Sequence, residues 1–237
     1  MRPPFRWEHE LSKSFQKRTG PELWSRNPAG TWVLAHESTC SEGRADIVWG
    51  RFGNGCSPTR IRAHSALLQN ATASRILSSL RRSAAQHEEQ IYPRIGVTLP
   101  VFKKWLRALV EAELVTKTQD GRLRAIPRKK FPSVEICAFE LKLKNWRRAL
   151  YQATRYRSFS DQAFVVMPAE SARTAFKHRE TFRKANVGLV SHDASGNSTV
   201  LIRPRKRAPH AGHRAIMAIG MLSGSAIKAR PSRGKNR

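Results

Sequence analysis

Glu135-Ile136-Cys137-Ala138-Phe139-Glu140-Leu141-Lys142-Leu143-Lys144 is the stretch on which the reading of this chain turns. Its β-branched and apolar residues predict a strand over 134–143. Side chains alternate across a strand, so Ile136, Ala138, Glu140 and Lys142 share one face while Cys137, Phe139, Leu141 and Leu143 share the other. The second face is core. On the first, a carboxylate and an ammonium stand two positions apart beside small apolar residues, and burying either without a partner is costly. The pair needs a counter-charge or a chemical task.

Outward from that strand the pattern is mixed. Upstream, Thr31 to Ala35 and Arg44 to Phe52 predict a hairpin across the polar stretch Glu37 to Gly43, with Asp46 in its second strand. Asn54-Gly55 and Ser57-Pro58 mark an exit from the sheet. Earlier still, Trp7, Leu11 and Phe15 recur at helical spacing until Gly20-Pro21, which predicts an amphipathic helix over 5–18 with Glu8 on the edge of its apolar face. Downstream, a helix over 145–157, a strand over 163–167, a helix over 170–185 and strands over 187–191 and 199–203 follow in turn. This order predicts an α/β fold, a mixed central sheet with flanking helices.

Residues 60–130 break the pattern. Ala66 to Leu80 predicts a helix, Gln86 to Tyr92 a short polar one, and Thr98 caps a strongly periodic third with Phe102, Trp105, Leu106 and Leu109 inward. Lys103, Lys104 and Arg107 lie on its outer side. Leu114 to Thr118 and Arg122 to Ile126 then flank Gln119-Asp120-Gly121 as a hairpin. Three helices and a basic hairpin resemble a winged helix, in which the last helix and the wing, here Lys117, Arg122 and Arg124, contact DNA phosphates. The chain therefore divides into a core (1–59 and 131–205), an inserted winged-helix-like module (60–130) and a basic tail (206–237).

The charge balance narrows the partners. Lys and Arg number 44 against 17 Asp and Glu, a formal net charge of +27, so the chain seeks polyanions and nucleic acid first among them. No run is apolar enough to span a bilayer and residues 1–18 lack the apolar core of a signal peptide, so the expectation is a cytosolic protein without membrane association. Cys40, Cys56 and Cys137 form no C-x-x-C pair and indicate neither disulfide framework nor zinc ribbon. The segment from Arg203 to Arg237 holds ten Lys or Arg and no acid, and predicts disorder relieved by a short helix over 215–222.

Asp46 on one strand and Glu140-x-Lys142 on the next resemble the PD-(D/E)xK nuclease superfamily. Gln152-Ala153-Thr154-Arg155-Tyr156 fits the Q-x-x-x-Y pattern that one branch carries on the following helix, and Glu8 corresponds to an acid that some members bring from their first helix. Ala45 stands where the motif's name has proline. The resemblance spans roughly 5–205, insertion excluded. It implies a Mg²⁺-dependent (or Mn²⁺-dependent) DNA endonuclease, with Asp46 and Glu140 as metal ligands, Lys142 orienting water or holding phosphoryl charge, Glu8 aiding the metal through water, and Gln152 and Tyr156 positioning DNA or Lys142. Many nucleases cut both strands as homodimers, which leaves a homodimer open, although no self-complementary surface is legible in this sequence. The rival from another class is a DNA-binding regulator or assembly factor that keeps the scaffold without hydrolysis.

Overall fold

In the computed structural model, the described residues are 5–20, 23, 30–40, 43–53, 61–81, 84–126, 131 and 133–225. The Asn54-to-Pro58 turn, the basic run Arg128 to Lys130 and residues 226–237 lie outside them. Six strands form one sheet: β1 (Thr31–Cys40), β2 (Gly43–Phe52), β5 (Val134–Leu141), β6 (Gln162–Pro168), β7 (Gly188–His192) and β8 (Ser198–Ile202), in that spatial order. The β1/β2, β2/β5 and β7/β8 pairs are antiparallel, while β5/β6 and β6/β7 are parallel. Parallel neighbours need a helical crossover. Helix α6 (Trp146–Tyr156) supplies the first, and α7 (Ala169–Phe176) with α8 (Arg179–Ala185) the second. The sheet is mixed and helix-flanked, as the pattern predicts.

Both faces of the sheet are covered. Helix α1 (Glu8–Arg18) buries Leu11 and Phe15 on one face, against Cys137, Phe139 and Leu141 of β5 and Phe164 of β6. The β5 alternation therefore holds, with Ile136 and Ala138 turned to the opposite core. Trp7, expected inward, is 55% exposed. It is the N-cap of α1, at φ −131°, so the helical wheel that places Leu11 and Phe15 does not extend back to it. The far end of α1 is tied down by a buried imidazole: His192 bonds Ser14 through Nε2 at 2.9 Å and Ser198 through Nδ1 at 2.7 Å, and Phe5 stacks on its ring.

Between β2 and β5 come α2 (Ser65–Gln69), α3 (Ala71–Arg81), α4 (Glu88–Ile91), a 3-10 turn (Tyr92–Arg94), α5 (Leu99–Glu111) and a separate hairpin of β3 (Val115–Lys117) and β4 (Leu123–Ala125). None of these joins the six-stranded sheet, so β2 and β5 are neighbours despite the long intervening segment. The single helix expected over 66–80 is broken at Asn70, which is extended at ψ 125°. Its Oδ1 accepts the backbone N–H groups of Thr72 and Ala73 and restarts the helix. The helix expected over 170–185 is likewise two helices, parted at His178, whose ring stacks on Trp146 at 4.5 Å. The insert helices share one continuous core with the sheet, since Ile76, Leu77 and Phe102 cluster with Val33, Val48 and Ala138.

In the tail, the short helix expected over 215–222 is present as α9 (Gly212–Gly224), with Ile216, Ala218, Ile219 and Leu222 buried, whereas 203–211, expected to be disordered, runs extended and hydrogen-bonded to the core. Gly220 fits where a Cβ would stand 2.7 Å from Leu68 Cβ, and Gly50 faces Leu222, where a Cβ would meet Cδ1 at 2.5 Å. Gly50 leaves room on the sheet for Leu222, and Gly220 lets α9 itself approach α2 closely. Among the described residues no helix is long and apolar enough to cross a membrane.

Candidate active site

The β2/β5 ladder brings the distant acids together. Its last pair before the site is Ile47↔Phe139, and the next positions are Asp46 and Glu140. Residues opposite each other on antiparallel strands project to the same face. There the backbone ladder gives way to a side-chain bond, in which Leu141 N–H donates to Asp46 Oδ2 at 2.7 Å. The Asp46 carboxylate thus fastens the end of β5 beside Glu140.

Glu140 is 1% exposed and receives four influences, burial and three neighbouring groups. Tyr156 donates its hydroxyl to Oε2, reaching back along α6 from one turn beyond Gln152. Lys142 Nζ lies 3.3 Å from Oε1. Burial first, and the Asp46 charge second, push the Glu140 carboxyl up from 4.5 to about 7, against Tyr156 and Lys142, which lower it.

Lys142 follows directly on β5, with its N–H on Val166 O. The strand has ended there, which frees the side chain to reach both layers. Nζ pairs with Glu8 Oε2 of α1 at 2.9 Å as well as with Glu140. Burial alone would lower the ammonium; the Glu8 bond and the charges of Glu140, Glu8 and Asp46 outweigh it and hold Lys142 above its ordinary range. Glu8 departs from the expected place on the buried edge of its helix. Its side chain is 50% exposed and it contacts the lysine directly. The reason is positional: Glu8 is the first residue of α1 and overhangs the end of the sheet.

The structure brings together five of the six expected residues, Asp46, Glu140, Lys142, Glu8 and Tyr156, in one bonded chain. Tyr156 holds Glu140, not Lys142. Gln152, one turn earlier on α6, has a buried Oε1 without a hydrogen-bond partner. Among the described residues no three His, Cys, Asp or Glu are arranged as metal ligands. Two carboxylates remain, and that donor set fits Mg²⁺, which keeps most of its waters and takes one or two protein carboxylates. The elevation of Glu140 by a neighbouring anion supports the same fit, because a divalent cation would relieve it.

Away from the site, Lys103, Lys104 and Arg107 are exposed on α5, and Lys117, Arg122 and Arg124 are exposed on the β3–β4 hairpin that follows it. Lys104 lies over the Trp105 ring, and Arg122 pairs with Asp120 at 2.8 Å. Gln86 and Leu123 exchange backbone hydrogen bonds at 3.0 and 2.8 Å, which adds a third edge to that hairpin. The His192 network, which fixes the helix carrying Glu8, carries no local sequence signal, since its partners are 178 and 6 residues from it. Compared with family models, curated proteins and solved structures, the chain matches none significantly.

Proposed function

We propose that the protein is a metal-dependent DNA endonuclease of the PD-(D/E)xK type, its sheet a nuclease core and its 60–130 segment a winged-helix-like DNA-binding insert. The observation that carries the reading is the meeting of Asp46, Glu140 and Lys142 at the end of one strand pair, with Glu140 raised to about 7. Packing alone gives no reason to place two carboxylates there. The net charge of +27 and the six exposed cations of α5 and its hairpin support DNA as the partner.

Asp46 and Glu140 would hold Mg²⁺, or Mn²⁺ in its place, which when bound supplies Lewis-acid charge and a more acidic water. Each remaining residue has a task that its contacts support. Tyr156 occupies one Glu140 oxygen, leaving Oε1 turned to Lys142. Lys142 offers a fixed ammonium to the charge that develops on the phosphoryl oxygens, and Glu8 keeps it charged and aimed. Leu141 N–H fixes one oxygen of Asp46.

The test is cleavage of plasmid and oligonucleotide DNA with Mg²⁺ or Mn²⁺ by wild type, Asp46→Ala and Lys142→Ala. Loss of one such stabilising charge costs about 10²–10³ in rate. Equal cleavage by all three proteins refutes the assignment. Metal-independent DNA binding with no cleavage by wild type would instead favour the regulator or assembly factor that retains the scaffold.

A further inference from the structure

The segment after β8 runs extended over 203–211 and is pinned by its backbone. The side-chain amide of Asn186, the left-handed C-cap of α8, donates to Arg205 O at 2.9 Å and accepts Arg205 N–H at 2.8 Å. Arg207 N–H reaches Asp161 O, His210 N–H reaches Arg157 O and Ala211 N–H reaches Ser158 O. A backbone held at four places presents its side chains in fixed positions, and Arg203, Arg205, Lys206 and Arg207 are all exposed.

Between this strap and α8 lies a cleft of about 350 Å³, lined by the cations Arg183, Lys184, Arg203, Arg205 and Arg207 and, among the described residues, by no acid. Arg183 is tied to Glu180, and Arg203 donates to Leu23 O. Lys184, Arg205 and Arg207 project from α8 and the strap into a common space. Like charges gathered around a cavity repel one another, and an anion is the occupant that relieves them.

The cleft is not the candidate active site. Asn186 precedes Gly188, which pairs with Phe164, whereas Lys142 sits beside Val166 at the other end of the parallel strands. Two strands across at about 4.8 Å and roughly four residues along at about 3.3 Å separate the two sites by roughly 16 Å. That length corresponds to about five phosphates at about 3.4 Å per nucleotide along a duplex strand.

We propose that this cleft is a second phosphodiester-binding site, which grips nucleic-acid backbone about five nucleotides from the Asp46, Glu140 and Lys142 centre. A free phosphate would be served by fewer cations in a tighter pocket; an open cleft walled by a cationic strap suits a chain of phosphates. The inference rests on the reading of the protein as a nucleic-acid binder, and not on hydrolysis.

The experiment is fluorescence anisotropy of the full-length protein with a labelled 20-base-pair duplex in EDTA across a salt series. It compares wild type, Lys184→Gln/Arg205→Gln and a matched neutralisation on α1, Lys13→Gln/Lys17→Gln. Each cation that contacts a phosphate contributes about 1 to the slope of log affinity against log salt, so the cleft variant should lose about 2 and the α1 variant nothing. All the replaced side chains are exposed, and unchanged melting curves certify the fold. A cleft variant with the wild-type slope, or one that falls no further than the α1 variant, overturns the proposal, even if inorganic phosphate displaces the duplex. Because no metal is present, the result is independent of cleavage: a slope loss with no nuclease activity retains the cleft and rejects only the enzyme.

Discussion

Replacing Glu140 by Gln isolates the energetic cost that the candidate site places on the fold. Glu140 titrates at about 7 in the folded chain and at an ordinary 4.5 once unfolded. A raised folded pKa means that the native state holds the proton more tightly, so the associated stability is present below the unfolded value and is lost as pH rises through about 7. Between about pH 5 and about pH 8 the loss is roughly 2.5 kcal/mol at 1.36 kcal/mol per pH interval, a large share of a typical domain's stability. Gln keeps the shape and the Tyr156 contact but has no charge to bury. Urea melts at the two pH values should therefore show Glu140→Gln matching wild type in acid and exceeding it by about 2 kcal/mol in base. Saturating Mg²⁺ at the higher pH should stabilise wild type and leave Glu140→Gln nearly unaffected. Parallel pH profiles for the two proteins would refute both the burial argument and the pairing with Asp46.

Three further outcomes follow from the same contacts. Tyr156→Phe removes the hydroxyl that lowers Glu140, so the pH midpoint of the wild-type stability step should move above about 7 in the same melts, and an unmoved midpoint contradicts the bond. Leu222→Ala should destabilise by about 2–5 kcal/mol because its side chain is fully buried in the groove opened by Gly50; a loss below about 1 kcal/mol in a urea melt would mean that α9 is not docked in solution. Burial holds His192 below its ordinary 6.5, so the unfolded chain takes up the proton first and stability should fall as pH drops through that value. His192→Gln should flatten that acid limb, which Glu140→Gln leaves intact.

The β5 strand and its two-faced alternation are legible in the sequence through period-two patterning, whereas the meeting of Asp46 with Glu140-x-Lys142 is expected only from the resemblance to a nuclease motif. The Asn70 break was not legible, since Asn is tolerated within a helix and only the geometry of the cap at Thr72 and Ala73 decides the outcome. The direct pairing of Glu8 with Lys142 is not legible, because a helical wheel fixes direction around an axis and not the position of the helix end over the sheet. The docking of the tail beyond its short helix is hidden for a related reason. Composition describes what a segment can bury by itself, whereas Gly50, Ser65 and Leu68 supply the burial that α9 lacks alone. The cleft cations are read from sequence as a solvated run, and only the Asn186 clamp makes them a surface.

The distribution of charge gives the proposed function its metal dependence. A chain with 44 cations places Glu8, Asp46 and Glu140 around a single ammonium, and near neutral pH this leaves the site with an excess of roughly one to two negative charges. A phosphodiester drawn in by the rest of the surface meets repulsion there, since at short range and low exposure the two carboxylates are weakly screened by salt. Lys142 cannot reverse the sign while it serves two acids. A divalent cation held by Asp46 and Glu140 would, and its charge would favour the ionised Glu140 that binds it. Binding of DNA should then be set by α5, its hairpin and the strap with or without metal, while entry of the scissile phosphate waits on the ion.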